Sequence, residues 1–284
     1  MINKIYKYII LLILNNIFFL NSFAEVQFNF DVTKIEILQN GNIYKGTERG
    51  EFTTNNGITI NANSFEYNKA LNILNAKGNV KIEDTIENYV ILTDDITYYK
   101  NNEIILSRGK TKSIVGSKYI IDSKKTLEYN KSLNILNAKG NVEIEDTIDN
   151  FLIIAEDISY FKNDEKILTK GKTETKIESK YNVISENVVY LITENKLSSS
   201  RKSTFKDNNS NVYILDRFDY SINSEKLKGD NIIIITNFKK PESDKFYFSN
   251  GIINFKTQNF IAKDTKIEIH NDVFGNRDNN PRLE

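Results

Sequence analysis

Cysteine is absent from the 284-residue sequence, and histidine and proline are nearly absent, with one and two residues respectively. A chain without cysteine forms no disulfide, no thiolate metal site and no cysteine nucleophile. The single histidine, His270, excludes a multi-histidine metal site and leaves little basis for histidine catalysis. We therefore expect a protein that is not an enzyme and that uses no metal or other cofactor; a hydrolase that uses carboxylates is the alternative that these absences leave open.

An excess of charge of one sign is also missing, because 38 basic residues balance 38 acidic residues. Such a chain has no long-range attraction for nucleic acid, so we expect no nucleic-acid partner. Helical spacing of apolar residues is missing after residue 24, and residues 80–83 and 142–145 instead alternate strictly between apolar and charged side chains. Strict alternation indicates strands with one apolar face, so the sequence predicts an all-β chain.

The first 24 residues have the layout of a secretory signal peptide. Lys4 and Lys7 precede an apolar run over residues 9–20, and Ser22 and Ala24 are the small residues of a cleavage site. A transmembrane anchor is the alternative, but the run is shorter than the roughly 20 residues that a span needs. Cleavage after Ala24 would remove two lysines and leave an exported chain with a balance of 36 − 38 = −2.

The middle of the sequence contains the same stretch twice. Residues 66–88 and 128–150 differ only at positions 70/132, 81/143 and 87/149, and their offset is 62 (128 − 66). Four glycines at intervals of 31 divide this offset into two half-units: Gly78, Gly109, Gly140 and Gly171. A fixed period indicates one structural unit stacked on copies of itself.

A short pattern in these repeats changes the spacing of the apolar residues. In this pattern an apolar residue is followed two positions later by a small residue. A second apolar residue follows three positions after the small one, and a tyrosine follows two positions after that. The last two residues therefore continue the alternation one position out of step with the first two. The pattern occurs as Ile60-Ala62-Phe65-Tyr67, Ile91-Thr93-Ile96-Tyr98, Ile153-Ala155-Ile158-Tyr160 and Val183-Ser185-Val188-Tyr190. Because strand side chains alternate between two faces, these apolar groups share one side only if each strand bends at its small residue.

The repeated bend predicts an elongated, twisted antiparallel β-jelly roll, or V-shaped β-trough, over residues 25–270 with the apolar face inside. Two interpretations of the inner face are open. The two halves of the sheet close into a core, which periodicity alone favours, or the trough stays partly open and binds alkyl chains. Unpaired strand edges at the ends of the stack, such as the apolar one around Phe28, favour end-to-end assembly.

The repeats resemble a known family. The segments 76–80 and 138–142 both read Ala-Lys-Gly-Asn-Val, and tyrosine-rich Ala/Thr-Asp/Glu-x-Ile-x-Tyr segments recur beside them. Together these motifs resemble the OstA-like periplasmic domains of the lipopolysaccharide transport system, over roughly residues 33–269. That family includes the bridge protein LptA and the N-terminal domain of the outer-membrane assembly protein LptD.

Residues 271–284 resemble the LptD segment that leads into further domains, so we expect an N-terminal portion of such a protein. A free-standing LptA-like bridge protein is the alternative. The sequence departs from LptD because it stops at Glu284 without the strands of an outer-membrane barrel and contains no cysteine. An adhesive or structural β-repeat protein that binds no lipid is a further alternative.

The resemblance implies a function. Such domains shield the acyl chains of lipopolysaccharide and conduct it across the periplasm to the outer membrane. The implied partners are lipopolysaccharide, an LptA-like bridge protein joined by strand-edge pairing at the N-terminal end, and, if the full protein exists, an outer-membrane barrel with its lipoprotein partner. The implied localisation is the periplasm, in association with the outer membrane.

We expect the inward-facing residues of the central repeats to line the lipid groove. They are Phe65, Tyr67, Ile73, Val80, Ile82, Ile91, Ile96, Tyr98, Leu127, Tyr129, Ile135, Val142, Ile144, Ile153, Ile158, Tyr160, Val183, Val188 and Tyr190.

Overall fold

The computed structural model describes residues 28–238 and 243–270. The predicted signal peptide and the predicted tail over residues 271–284 lie outside these ranges. Within them the chain forms 23 strands and two single-turn 3-10 helices, Gln39–Gly41 and Lys100–Asn102. No helix there is long and apolar enough to span a membrane.

The strands follow one another with short turns. They are β1 (Phe28–Leu38), β2 (Ile43–Thr54), β3 (Ile58–Ala62), β4 (Ser64–Asn68), β5 (Ile73–Asp84), β6 (Tyr89–Tyr99), β7 (Ile104–Arg108), β8 (Thr111–Val115), β9 (Tyr119–Ser123), β10 (Thr126–Asn130), β11 (Ile135–Asp146), β12 (Phe151–Phe161), β13 (Lys166–Ile177), β14 (Tyr181–Glu186), β15 (Val189–Leu191), β16 (Lys196–Ser199), β17 (Ser203–Asp207), β18 (Val212–Leu215), β19 (Arg217–Ser221), β20 (Lys226–Ile235), β21 (Lys245–Asn254), β22 (Asn259–Lys263) and β23 (Lys266–Glu268).

The sheet is a single antiparallel meander. β3 and β4 both pair with β2 on one side and with β5 on the other, so they are two parts of one interrupted strand. Seven such interruptions reduce the 23 segments to 23 − 7 = 16 long strands, each paired with its neighbours in sequence. The predicted antiparallel all-β fold is confirmed.

Every long strand bends near its middle, as the parity change predicts. The pairing of β5 with β6 shifts by one residue between Lys77 and Val80, where Gly78 and Asn79 have φ of +77° and +50°. Such left-handed conformations suit glycine and asparagine. The same shift recurs between Lys139 and Val142 in the second copy. The bulge therefore sets the bend line of the sheet.

Small hydroxyl residues satisfy the backbone along this bend line. The Thr111 hydroxyl lies 3.1 Å from that of Thr93 and 2.7 Å from that of Ser107, and the Ser107 hydroxyl accepts a 3.0 Å hydrogen bond from the Leu127 amide. These side chains are buried. Buried polar groups need partners, so the hydroxyls replace ladder hydrogen bonds that the bend interrupts.

The bend folds the meander into two facing layers. The first layer contains β3, β8, β9, β14, β17 and β18, and the second contains β4, β7, β10, β15, β16 and β19, while the longer strands contribute one half to each layer. The apolar side chains of both layers form one continuous buried cluster from Phe52 to Ile253. Packing of two inner faces over a shared core is the general architecture of a β-sandwich or jelly roll.

Candidate functional site

Most of the residues expected to line the groove do face the interior. Seventeen of the nineteen are buried, and the most exposed of them, Tyr160, exposes 6% of its surface. They are Phe65, Tyr67, Val80, Ile82, Ile91, Ile96, Tyr98, Leu127, Tyr129, Val142, Ile144, Ile153, Ile158, Tyr160, Val183, Val188 and Tyr190. Their inward orientation makes them available to an alkyl chain only where the two layers separate.

Ile73 and Ile135 are corrections, because both lie on the outer face at the start of their strands. Their neighbours Leu74 and Leu136 are buried instead. Leu74 pairs directly with Tyr67 on one side and Tyr98 on the other, and directly opposed side chains share a face. At each place two apolar residues follow one another, so the alternation alone does not say which of them faces inward. The prediction that Ile73 and Ile135 face inward is wrong.

The interior is closed by a row of aromatic pairs in which each ring of the first layer contacts a ring of the second. We call this row the aromatic ladder. Its rungs and centroid separations are Tyr89–Tyr129 at 4.6 Å, Tyr119–Tyr160 at 5.7 Å, Phe151–Tyr190 at 4.7 Å, Tyr181–Tyr220 at 6.0 Å and Tyr213–Phe255 at 4.9 Å. In this conformation the central repeats are therefore a filled core.

The first-layer members of the ladder were missed in the sequence. Their spacing was the available signal, since aromatic residues recur at intervals of 30, 32, 30 and 32 (119 − 89, 151 − 119, 181 − 151, 213 − 181). They begin or nearly begin their strands, directly after polar turns. Each residue therefore looked like part of a turn rather than part of the apolar set.

The two layers also meet through polar contacts at the rim opposite the bend, which we call the seam. In its middle, the carboxylate of Asp84 accepts hydrogen bonds from the Tyr129 hydroxyl at 2.8 Å and from Lys131 Nζ at 2.6 Å. The side chain of Asp84 is fully buried, and that of Lys131 is only 9% exposed. This ion pair is therefore shielded from water, where charge pairing is strongest and the loss of one partner most costly.

Further contacts extend the seam in both directions. Glu87 accepts hydrogen bonds from Lys162 Nζ at 2.8 Å and from the Asn134 amide at 2.7 Å. Asn56 donates to Glu103 at the N-terminal side. At the C-terminal side Glu225 accepts from Lys180 Nζ at 3.2 Å and from the Tyr181 hydroxyl at 2.9 Å. Each contact joins a turn of one layer to the other layer.

Only the first copy of the duplicated stretch supplies the acids of these cross-layer ion pairs, Asp84 and Glu87. Asp146, the counterpart of Asp84 at the 62-residue offset, pairs at 3.1 Å with Lys118, which belongs to its own layer. The structural counterparts of Tyr129 and Lys131 are Tyr190, whose hydroxyl donates to Asn195 instead, and Ile192, which carries no charge. The second carboxylate is therefore stabilised within one layer and does not bridge the seam.

Electrostatically, the ladder is neutral. Burial raises the pKa of Tyr190 to about 12, and burial together with the hydrogen bond to Asp84 holds the pKa of Tyr129 far above its ordinary value. The tyrosines therefore keep their protons near neutral pH. By contrast, the hydrogen bonds from Lys162 and Asn134 lower the pKa of Glu87 below its ordinary value of 4.5, so Glu87 is ionised in the seam.

At the C-terminal end the two layers separate into a cleft of about 430 Å³, which we call the end cleft. The first-layer wall contains Tyr181, Tyr213, Ile234 and Phe246, and the opposite wall contains Ile253, Phe255 and Phe260. Asparagine and glutamine side chains surround the mouth: Asn208, Asn209, Asn211, Asn254, Gln258 and Asn259. The cleft has the size and apolar lining of small-molecule sites, which span about 300–1,000 Å³.

Residues 28–238 and 243–270 contain no cluster of three or more histidine, cysteine or acidic side chains that could hold a metal ion. Comparisons with known proteins add no assignment. No protein-family model matches this chain, and no curated protein matches it.

Proposed function

We propose that this chain binds and shields the acyl chains of lipopolysaccharide in the periplasm and conducts the lipid towards the outer membrane, as the N-terminal part of an LptD-like assembly protein. One observation carries the proposal most directly: a single apolar interior runs from Phe52 to Ile253 without a break and opens at the end cleft. The Ala-Lys-Gly-Asn-Val repeats and the signal-peptide pattern support the same assignment.

The energetics of this interior suit a conduit. Burial of one methylene group is worth about 0.8 kcal/mol, so six methylenes give roughly 5 kcal/mol. That is enough to hold an alkyl chain away from water. Because the ladder repeats similar rungs along the molecule, the affinity is similar from one position to the next, and no single deep site traps the cargo.

Passage through the central repeats requires the rungs to separate. An aromatic pair contributes about 0.5–1.5 kcal/mol beyond its buried area. An alkyl chain that replaces one ring against the opposite wall restores most of the apolar contact, so opening a rung without a buried ion pair costs less than several buried methylenes provide. At the Tyr89–Tyr129 rung the contacts of Asp84 with Tyr129 and Lys131 add to this cost. The cargo therefore moves by displacing the rungs in succession.

The N-terminal edge is where an LptA-like bridge protein would dock. Among the described strands β1 pairs only with β2, so its other edge is open. Ile35 and Ile37 lie opposite Gly46 and Tyr44 on the inner face of this end strand, and they are 48% and 58% exposed. An open edge with apolar side chains accepts an added strand. In this proposal the outer-membrane barrel and its lipoprotein partner associate with the opposite, C-terminal end.

Photo-crosslinking in the periplasm tests the proposal. A photoreactive residue replaces Ile144, which faces the interior, or its exposed neighbour Glu145 as the matched control. We expect lipopolysaccharide adducts from position 144 and none from position 145. Adducts from the control position, or none from position 144, would contradict the proposal.

The filled central core favours a second candidate, a structural or adhesive β-repeat protein that binds no lipid. Mass spectrometry of protein purified from the periplasm separates the two candidates. Co-purified acyl lipid supports the first, whereas a lipid-free protein that keeps its fold supports the second.

A further inference from the structure

The turns that meet along the seam recur at equivalent positions in both layers. In the second layer each turn contains a residue with φ between +47° and +56° whose amide donates to the carbonyl three residues earlier: Glu103, Asn134, Glu165, Asn195 and Glu225. In the first layer the matching turn residues recur at intervals of 31 (87 − 56, 118 − 87, 149 − 118, 180 − 149): Asn56, Glu87, Lys118, Asp149 and Lys180. Taken in order, the two series form five pairs across the seam, which we call the seam pairs: Asn56–Glu103, Glu87–Asn134, Lys118–Glu165, Asp149–Asn195 and Lys180–Glu225.

Only some of the seam pairs are joined. The first, second and fifth are hydrogen-bonded between the layers, the second at 2.7 Å and the fifth at 3.2 Å. The third and fourth are not. Lys118 instead donates to Asp149 at 2.7 Å and lies 3.1 Å from the carboxylate of Asp146, and both acids belong to its own layer. Glu165 accepts from Thr193, which also belongs to its own layer. The seam therefore has a gap of two successive pairs.

The two unjoined pairs are chemically complementary. An ammonium group has three N–H donors, so the two contacts of Lys118 leave one donor for Glu165. Burial raises the pKa of Tyr160, Glu165 raises it further and Lys118 lowers it, so both charges lie near the same phenol. The Asn195 side chain, whose Nδ2 donates within its own layer at 2.7 Å, can likewise donate to Asp149. Both pairs can therefore form the kind of contact that joins the other three.

The gap lies above two rungs of the aromatic ladder, Tyr119–Tyr160 at 5.7 Å and Phe151–Tyr190 at 4.7 Å. Within residues 28–238 and 243–270, no hydrogen bond or ion pair crosses between the layers at these two rungs. The rung on their N-terminal side is joined by the buried ion pair of Asp84, and the rung on their C-terminal side by the fifth seam pair. Separation of the layers at the gap therefore breaks aromatic and apolar contacts alone.

We infer that the jelly roll opens sideways at this gap, and that the third and fourth seam pairs are the latch that closes it. In the closed form Lys118 bonds Glu165 and Asp149 bonds Asn195. In the open form these side chains keep the contacts within their own layers and the turns move apart, while the joined pairs on both sides confine the opening to two rungs. The inference concerns the conformation and holds whatever the interior binds. Under the proposed function, the opening is where the polar head of the lipid extends from the interior.

Spin labels test the latch, because the chain has no cysteine of its own. Ser117→Cys with Asp164→Cys places one label on each side of the gap at exposed positions and leaves the third seam pair intact. Asn55→Cys with Asn102→Cys is the matched control, since these exposed residues lie beside the first seam pair at the 62-residue offset (117 − 55, 164 − 102). Pulsed electron paramagnetic resonance of the purified protein then gives the distribution of distances across the seam.

We expect two populations between positions 117 and 164, separated by about 5 Å, the spacing of one strand. The control positions should give one narrow population. Glu165→Gln removes the charge that faces Lys118, so it should reduce the closed population by about two- to threefold, the effect of an exposed ion pair. The same substitution should leave the distance between positions 55 and 102 unchanged, which shows that the fold is intact. High salt should also reduce the closed population, because it screens the exposed pair.

A single narrow population between positions 117 and 164, like that of the control, would overturn the sideways opening. Two populations whose ratio does not respond to Glu165→Gln would overturn the assignment of the latch. Neither measurement involves lipid, so each result is separate from the photo-crosslinking at position 144. Adducts there would support the proposed function even if the seam stays closed, and their absence would leave a latch detected by the spin labels in place.

Discussion

The middle of the seam and its C-terminal end are built from the same repeated pattern but differ in closure. At Tyr89–Tyr129 both rings are buried, and Asp84 joins the layers through Tyr129 and Lys131. At Tyr213–Phe255 one ring is only partly buried and the walls separate into the end cleft. The difference teaches that aromatic rungs alone do not close the jelly roll. Beside the closed rung the cross-layer ion pair is buried, whereas beside the end cleft the cross-layer pair of Lys180 and Glu225 is partly exposed.

The largest expected difference between the two stretches is the loss of stability when one aromatic ring is removed from each. Tyr129→Ala removes a buried ring and its hydrogen bond to Asp84, so we expect a loss of about 3–5 kcal/mol in the free energy of unfolding. Phe255→Ala removes a partly exposed ring, and we expect about 1 kcal/mol because less apolar area leaves contact. Urea denaturation measures both, and equal losses would contradict the distinction between closed and open rungs.

Removal of one charge tests the polar contact itself. Lys131→Met leaves the buried carboxylate of Asp84 without its cation, and we expect a loss of about 3 kcal/mol. The double variant Asp84→Asn with Lys131→Met should recover much of this stability, because no unpaired charge remains.

Lys125→Met is the matched control for the charge removal. Lys125 pairs with Glu156 on the surface, where both side chains are more than half exposed. Exposed pairs contribute about 0–1 kcal/mol. If the urea midpoints of Lys131→Met and Lys125→Met fall by the same amount, the ion pair of Asp84 and Lys131 is screened by solvent as strongly as the surface pair, and the prediction is wrong.

The smallest expected effect is on the pH dependence of stability, and it concerns Glu87 in the seam. The pKa of Glu87 is lowered in the folded protein, so its contribution to stability is complete above its ordinary value of 4.5 and disappears as the pH falls through the lower folded value. Glu87→Gln should therefore flatten the acid limb of a plot of stability against pH. An unchanged acid limb would show that Lys162 and Asn134 do not stabilise the ionised form.

The fold could be read from the sequence because its signals are local. The parity change at Thr93 and the glycine at position 78 each specify a bend within a few residues, and the 31-residue interval repeats it along the chain. Three of the ten ladder rings followed from the same signal, since Tyr129, Tyr160 and Tyr190 share the parity of their aliphatic neighbours.

The seam could not be read in this way. Asp84 meets Tyr129 and Lys131, which lie 45 and 47 residues further along the chain, and that offset depends on how far the two layers are staggered. Nor does the sequence indicate that Asp146 lacks the same partners, because the duplicated stretches themselves are nearly identical. Contacts between layers depend on the residues that face a repeat as much as on the repeat.

Because each long strand within residues 28–238 and 243–270 pairs only with its neighbours along the chain, the length of this stack of strands is proportional to the number of repeats. A half-unit of 31 residues contains two long strands, and strands lie about 4.8 Å apart, so each half-unit adds roughly 10 Å to the stack. A duplicated block of 62 residues is then a spacer of about 19 Å. Gene duplication within such a chain lengthens the span between its two ends while leaving both ends unchanged.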